Sequence, residues 1–279
     1  VVYLVIKVDN LYQVSAFTYQ SKGGNKAGVY INADNLSEED MQRIAKDIGY
    51  SETAFVLKSD VADFKVRFFT PLSEVDLCGH ATIATFHVLK ELKMINNGIY
   101  TQETKAGILK INVLDSEIFM QQKNPIYGDT IDRKVLVECF DHLEYHADLK
   151  PMIVSTGLKE IFLPVKNNDI LNHLVPNFEE IKQISKRYHC IGVHVFALDD
   201  KVDAYGRNFA PLVGINEESA TGTSNGALAS YLFKFHHQKQ NYVLRQGYSM
   251  NLPSEIKVTL VLKEEDIQSV WVGGMAQIL

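Results

Sequence analysis

Apolar and polar positions along the chain switch between a period of two and a period near 3.6, so strands and helices are mixed throughout. Runs rich in Val, Ile, Tyr and Phe predict strands at Val2–Val8, Tyr12–Tyr19, Thr53–Leu57 and Phe64–Phe69, and Ala27–Ile31 is a short apolar run after a Gly-rich turn. The same signal predicts strands at Tyr100–Thr104, Ile108–Val113, Tyr242–Gln246, Glu255–Leu262 and Ser269–Val272. Ser37 to Asp40 has the spacing of a capping box, with Asp in the place of the usual Glu or Gln. Met41, Ile44, Ala45 and Ile48 follow at helical spacing, and Gly49 suits the C-cap. Two other helices, 79–93 (GHATIATFHVLKELK) and 222–236 (GTSNGALASYLFKFH), are apolar nearly all round, which predicts that both are buried.

These two helices are entered alike. Phe69-Thr70-Pro71 leads through a polar loop to Gly79-His80-Ala81, and Phe209-Ala210-Pro211 leads to Gly222-Thr223-Ser224. The parallel indicates an internal duplication, two halves each with strands around a central helix, and the segment 115–128 reads as the crossover between them. The halves are expected at 1–115 and 116–268, with a final strand near 269–279 returning to the first and an active-site cleft between them.

Composition narrows the function classes. The 279 residues are 46% hydrophobic and 22% charged, as in a folded globular chain. A net charge of −6 without a Lys/Arg tract argues against nucleic acid, and no apolar run approaches a membrane span. The N-terminus lacks the pattern of a secretory signal. Three cysteines with no CxxC make neither a disulfide framework nor a zinc site, and a cytoplasmic location is expected. No GxGxxG follows a strand and no GxxxxGK[ST] is present, so no nucleotide cofactor is indicated.

The candidate chemistry sits where the two buried helices begin. A helix N-terminus carries unpaired N–H groups and about half a positive charge. With glycine there, as at Gly79 and Gly222, a carboxylate can approach closely, although either glycine alone also suits a tight turn. His80, beside the helix start, is expected neutral; it is either a substrate donor and proton shuttle or a core histidine. Glu52, between a helix C-cap and an apolar strand, is either a general acid–base with a raised pKa or an exposed loop carboxylate. Glu217 and Glu218 precede the second buried helix, where carboxylates are favourable in any protein. Cys78 lies near a helix N-terminus, but a two-cysteine racemase needs a second cysteine at the matching place, taken here as Thr223; Cys139 and Cys190 read as core residues.

Several segments together resemble a known family. They are Gly24-Asn25-Lys26-Ala27-Gly28-Val29, Ser51-Glu52-Thr53-Ala54-Phe55-Val56, and Arg67-Phe68-Phe69-Thr70-Pro71 through Glu74-Val75-Asp76-Leu77-Cys78-Gly79-His80-Ala81-Thr82. Ser155-Thr156-Gly157, Arg207-Asn208-Phe209-Ala210-Pro211, Glu217 through Leu228, Gln246-Gly247 and Val272-Gly273-Gly274 follow in order over essentially the whole chain. The pattern resembles the phenazine-biosynthesis isomerase (PhzF-like) family of the diaminopimelate-epimerase-like superfamily. The resemblance implies an α+β fold of two pseudo-symmetric halves, each a curled mixed sheet around a central helix, and a homodimer. It implies no metal and no organic cofactor. It places the proton-shuttling glutamate at Glu52, with His80, Glu218 and Thr223 as its catalytic companions and Asn25, Ser51, Gly79 and Gly222 as substrate-binding positions. Glu218 stands where the family has aspartate, Thr223 where it has serine, and Lys26 where it has proline. The expected function is a cofactor-independent isomerase that moves a proton between carbons of a small carboxylate. The alternatives are a racemase or epimerase of a small carboxylic acid, with Glu218 as the second group, and a non-catalytic small-molecule-binding or interaction protein with the same fold.

Overall fold

The computed structural model describes residues 10–279, so the strand expected at Val2–Val8 lies outside the described residues. The chain divides into two compact units. One comprises the residues up to Ala16, then Lys26–Met120 and Met275–Leu279; the other comprises Phe17–Asn25 and Gln121–Gly274.

In the first unit, strand Asn25–Tyr30 leads to helix α1 (Glu38–Ile48) and back to strand Glu52–Leu57, which runs parallel to it with Ala27 opposite Glu52. α1 starts where Ser37 Oγ accepts from Asp40 N and ends at Gly49, whose φ of 70° needs the left-handed freedom of glycine. Strand Phe64–Phe69 returns antiparallel to Glu52–Leu57 and is met at its end by the short strand Glu74–Val75. Helix α2 (Gly79–Glu91) follows; nine of its side chains, His80 and Phe86 among them, are buried. After α2, strand Gly98–Thr104 runs parallel to Phe64–Phe69 and pairs with Gly107–Val113. Ala276–Ile278 closes the unit antiparallel to Val14–Ala16.

The second unit repeats this order. Strand Lys159–Pro164 runs through helix α3 (Asn168–His173) and helix α4 (Phe178–Arg187) to the parallel strand Val193–Leu198. Strand Ala204–Ala210 returns antiparallel, the short strand Ile215–Glu218 meets its end, and helix α5 (Gly222–Phe235) follows, buried along nearly all its length. Strand Asn241–Gln246 then runs parallel to Ala204–Ala210 and pairs with the long strand Ser254–Lys263. A bidentate ion pair braces the same corner of each unit: Arg67 with Glu74, and Arg207 with Glu217. Each arginine also lies over the Phe two residues on, at 5.1 Å from Phe69 and 5.0 Å from Phe209.

The segment 115–128 carries the chain from one unit to the other, at Met120 and Gln121, and does so largely as strand, in Ile118–Gln122 and the start of Ile126–Thr130. One reading of the sequence needs correction. Cys78 and Thr221 are the N-caps of α2 and α5, so the counterpart of Cys78 is Thr221, and Thr223 matches His80. Either way the second position holds no thiol.

Candidate active site

The first cluster is built on the two elements that meet at the start of α2. Gly49 turns the chain out of α1, so that Tyr50 and Ser51 lead directly into the strand whose first residue is Glu52. The Glu52 side chain is only 12% exposed, so it is not a solvent-facing loop carboxylate. Its Oε2 lies 3.3 Å from His80 Nε2, yet this oxygen is buried and has no hydrogen-bond partner. Such an oxygen is costly to bury and keeps its lone pairs available. Ser51 Oγ also lies 3.3 Å from His80 Nε2, and Cys78 Sγ lies 3.3 Å from Nδ1.

His80 is 4% exposed. Burial holds its imidazole below the usual histidine pKa, against the pull of the Glu52 carboxylate and a hydrogen bond with the Lys26 backbone. The neutral state expected from the helix N-terminus is therefore present mainly for a different reason, desolvation. Gly79 begins the helix with no positive φ, and a Cβ there would meet only Met120 Cε at 3.6 Å. Neither backbone strain nor packing requires glycine, which favours the reading that it leaves room for a ligand. α2 also has no acidic residue in its first turn and no side-chain cap, unlike α1 with its three acids.

The second cluster lies before α5, in the other unit. Glu218 Oε1 accepts from Asn25 Nδ2 at 2.8 Å, and Oε2 accepts from Thr221 Oγ1 at 3.1 Å. Gln246 Nε2 donates to the Glu218 carbonyl at 2.7 Å and to Thr221 Oγ1 at 3.0 Å, and Asn225 Nδ2 donates to Gln246 Oε1 at 2.8 Å. Gly222 begins α5 with Phe17 Cζ 3.2 Å from where a Cβ would sit, so here packing does restrict the position. The Thr223 carbonyl accepts from Thr156 Oγ1 at 3.0 Å. α5, like α2, has no acidic residue in its first turn. Glu217 faces Arg207 and belongs to the corner brace.

Ser51, Glu52, Gly79 and His80 thus come together in one unit, and Asn25, Glu218, Gly222 and Thr223 in the other. Residue-level reasoning from the sequence did not single out Gln246, Asn225 or Thr221. Gln246 was marked only by the Gly247 that follows, whose φ is 82°. Cys139 and Cys190 are core residues as expected, and burial pushes their thiols up to about 12 and about 11.

A mixed-sheet α+β chain of two like units, each wrapped on a buried helix that starts at glycine, is a protein of the diaminopimelate-epimerase-like fold class. The chain belongs to the phenazine biosynthesis-like (PhzC-PhzF) family, whose model matches residues 14–279. It is 37% identical to a protein named an uncharacterized isomerase in Clostridium acetobutylicum, over 99% of this chain and 97% of that one. A Bacillus anthracis PhzF-family crystal structure superposes with a TM-score of 0.87 at 32% identity, covering 96% of each chain. A hydroxyproline epimerase from Agrobacterium vitis, at 12% identity and a TM-score of 0.62 over 96% of this chain and 90% of that one, shares the fold. The chain is an isomerase of this family. Among the described residues, no helix is long and apolar enough to cross a membrane.

Proposed function

We propose that the protein moves a proton between two carbons of a small carboxylate, with Glu52 as the group that takes the proton and returns it. The observation that carries this reading is the buried Glu52 Oε2, which has no hydrogen-bond partner and lies 3.3 Å from a neutral imidazole. The carboxylate removes a proton from a carbon next to a carbonyl or conjugated system, becoming a carboxylic acid. The electron pair left behind delocalises into that system, and the carboxylic acid, whose O–H proton exchanges with solvent before it is returned, delivers a proton to a second carbon of it. The charge is restored and no redox partner is needed. The N–H groups at the start of α2 would stabilise the developing negative charge, and Gly79 leaves them accessible. His80 Nε2, 3.3 Å from Glu52 Oε2, is near enough to exchange a hydrogen bond with the carboxyl as its protonation changes.

A two-base epimerase needs a second available acid–base group. Glu218, the candidate, already accepts on both oxygens, from Asn25 and from Thr221, which favours the one-base reading. The test is deuterium incorporation in D₂O from a panel of small unsaturated and hydroxy carboxylates. Glu52→Gln should lower exchange by about 10²–10⁴-fold while the chain stays folded. Equal labelling by wild type and Glu52→Gln would refute the assignment.

A further inference from the structure

Gln246, the last residue of strand Asn241–Gln246, is fully buried, and its side-chain amide is spent on the entrance to α5. Backbone groups fix the sense of every hydrogen bond there. The Thr221 carbonyl can only accept, so the Asn225 atom 2.9 Å from it is Nδ2. Asn225 Nδ2 and the Thr221 backbone N–H both donate to one Gln246 atom, at 2.8 Å and 3.3 Å, which must be Oε1. The other amide atom is then Nε2, and it donates to the Glu218 carbonyl at 2.7 Å and to Thr221 Oγ1 at 3.0 Å. Because Thr221 Oγ1 accepts from Gln246, its own proton is left for Glu218 Oε2, 3.1 Å away.

We propose that Gln246 is a positioning residue of the second cluster, which turns the Thr221 hydroxyl proton onto Glu218 and holds that carboxylate as a fixed hydrogen-bond acceptor. The orientation stands on these hydrogen bonds; its bearing on proton transfer rests on the isomerase reading above. Asn25 Nδ2 completes the hold, donating to Glu218 Oε1 at 2.8 Å and to the Ala220 carbonyl at 3.0 Å. Donors on both oxygens favour the ionised carboxyl and make it a poor competitor to Glu52 for a substrate proton.

The arrangement is more than helix capping. Thr221 is the N-cap of α5, where a threonine hydroxyl commonly accepts from the first turn, yet it makes no side-chain cap bond. Nor does the fold require it. In the first unit, strand pairing puts Thr104 at the place of Gln246, and Thr104 Oγ1 donates to the Gly107 carbonyl in its own hairpin. Thr82 there bonds the N-cap carbonyl of Cys78 as Asn225 bonds that of Thr221, so this bond is common to both units. The residue after the corner glutamate is Val75 in the first unit and Glu218 in the second, and only a carboxylate needs holding. Gly247, with φ 82°, turns the chain directly after Gln246; a Cβ on it would lie 2.2 Å from the Leu252 carbonyl oxygen.

The test uses the full chain labelled with [5-¹³C]glutamate, with Glu218→Gln identifying the Glu218 carboxyl signal. Thr221→Val keeps the side-chain shape and removes the hydroxyl. It should raise the titration midpoint of that signal by roughly one pH unit, the share of one donor where two or three take a carboxylate below about pH 2. Thr221→Ser should restore the midpoint. Gln246→Met frees the hydroxyl to turn away and should raise it too, with little further rise in combination with Thr221→Val. In deuterium exchange, Thr221→Val should lose roughly tenfold in kcat/KM, and Thr221→Ser should recover most of it. Circular dichroism confirms folding. In wild type, the Gln246 side-chain N–H protons should show nuclear Overhauser contacts to Thr221 Hβ; contacts to the Asn225 side-chain amide in their place overturn the orientation, whether or not Gln246→Met folds. A midpoint that Thr221→Val leaves unmoved, or that Thr221→Ser fails to restore, overturns the hold on Glu218. A folded Gln246→Met chain with the wild-type midpoint overturns the part given to Gln246. Undiminished exchange in Thr221→Val with a shifted midpoint overturns the bearing on the reaction. A Glu218 signal that behaves as described in a chain that exchanges no substrate carbon sinks the isomerase reading and leaves the hold on Glu218 standing, so the two failures are distinguishable.

Discussion

Acidification should loosen the second unit through one buried histidine. His194, on strand Val193–Leu198, is fully buried beside the Phe162 ring. Asn208 Nδ2 lies 3.2 Å from its Nδ1 and also donates to Glu160 Oε1 at 2.8 Å, so Nδ1 faces a donor and must be the accepting nitrogen. Nε2 has no hydrogen-bond partner, and nothing there compensates a positive ring. Burial pushes the His194 pKa down to about 3 from 6.5. The folded value lies below the unfolded one, so the stability contribution is complete above pH ~6.5 and is lost as pH falls toward ~3. Between pH 7.5 and 5.0 these two values give a loss of about 2 kcal/mol, a large part of a net stability of about 5–15 kcal/mol. Urea unfolding of wild type and His194→Gln at both pH values isolates this contribution, because every other titrating group is shared. Wild type should lose about 2 kcal/mol more than the variant over that step. Parallel losses in the two proteins would show that His194 titrates normally and would refute the reasoning.

The two helix-starting glycines should respond differently to a methyl group. Gly79→Ala meets only Met120 Cε at 3.6 Å, so thermal unfolding should stay within about 0.5 kcal/mol of wild type while deuterium exchange falls at least about tenfold; undiminished exchange would remove the ligand from that position. Gly222→Ala presses on Phe17 Cζ at 3.2 Å and should lower the unfolding free energy by roughly 1 kcal/mol. Gly206→Ala would place Cβ 2.6 Å from His194 Nε2 inside a packed core, and a loss of about 1–3 kcal/mol in urea unfolding is expected. Arg207→Ala leaves Glu217 without its counter-charge, with Ser249 Oγ still donating to it, and the Leu171 and Leu174 carbonyls without their arginine donor, so it should cost roughly 3 kcal/mol in the same assay, and more than Arg67→Ala in the wetter counterpart.

The elements that could be read from the sequence are those whose signals are local. The Ser37 cap, the Gly49 stop and the apolar helices at Gly79 and Gly222 all stand where hydrophobic spacing put them, with ends shifted by no more than two residues. The resemblance named the residues of both clusters because its motifs follow the elements that carry them. What stayed hidden depends on contacts far apart in sequence. Asn25 and Glu218 are 193 residues apart, and nothing local announces their hydrogen bond. Glu160 and His194 look like alternating strand residues, yet they form a buried polar group with Asn208 and Ser224. The strands Ile118–Gln122 and Ile126–Thr130 were missed because Gln121, Gln122 and Asp129 interrupt any clean alternation.

The repeat also bears on why the proposed chemistry would belong to one unit. Thr53 pairs with Phe69 and Val193 pairs with Phe209, so the position before each strand pair matches Glu52 in the first unit and Gly192 in the second. A Cβ on Gly192 would lie 2.0 Å from the Phe209 carbonyl oxygen, so the second unit has no room for any side chain at that position. Thr223 holds the place of His80, and Thr221 the place of Cys78. Every titratable member of the first cluster therefore meets a glycine or a hydroxyl at its counterpart. A duplicated fold built for two opposed acid–bases would keep one in each unit. This chain keeps the helix start in both and, in one, the proposed acid–base Glu52 with its buried Oε2 accepting no hydrogen bond, an arrangement suited to taking and returning a proton with the same carboxylate. Installing a second base at Gly192 should fail by misfolding. Thr221→Cys adds the missing thiol without disturbing the α5 backbone, and it should leave stereochemical inversion of the product undetectable by chiral chromatography. Inversion appearing in Thr221→Cys would show that only the thiol separates this enzyme from a two-base epimerase, and the argument from Gly192 would fall.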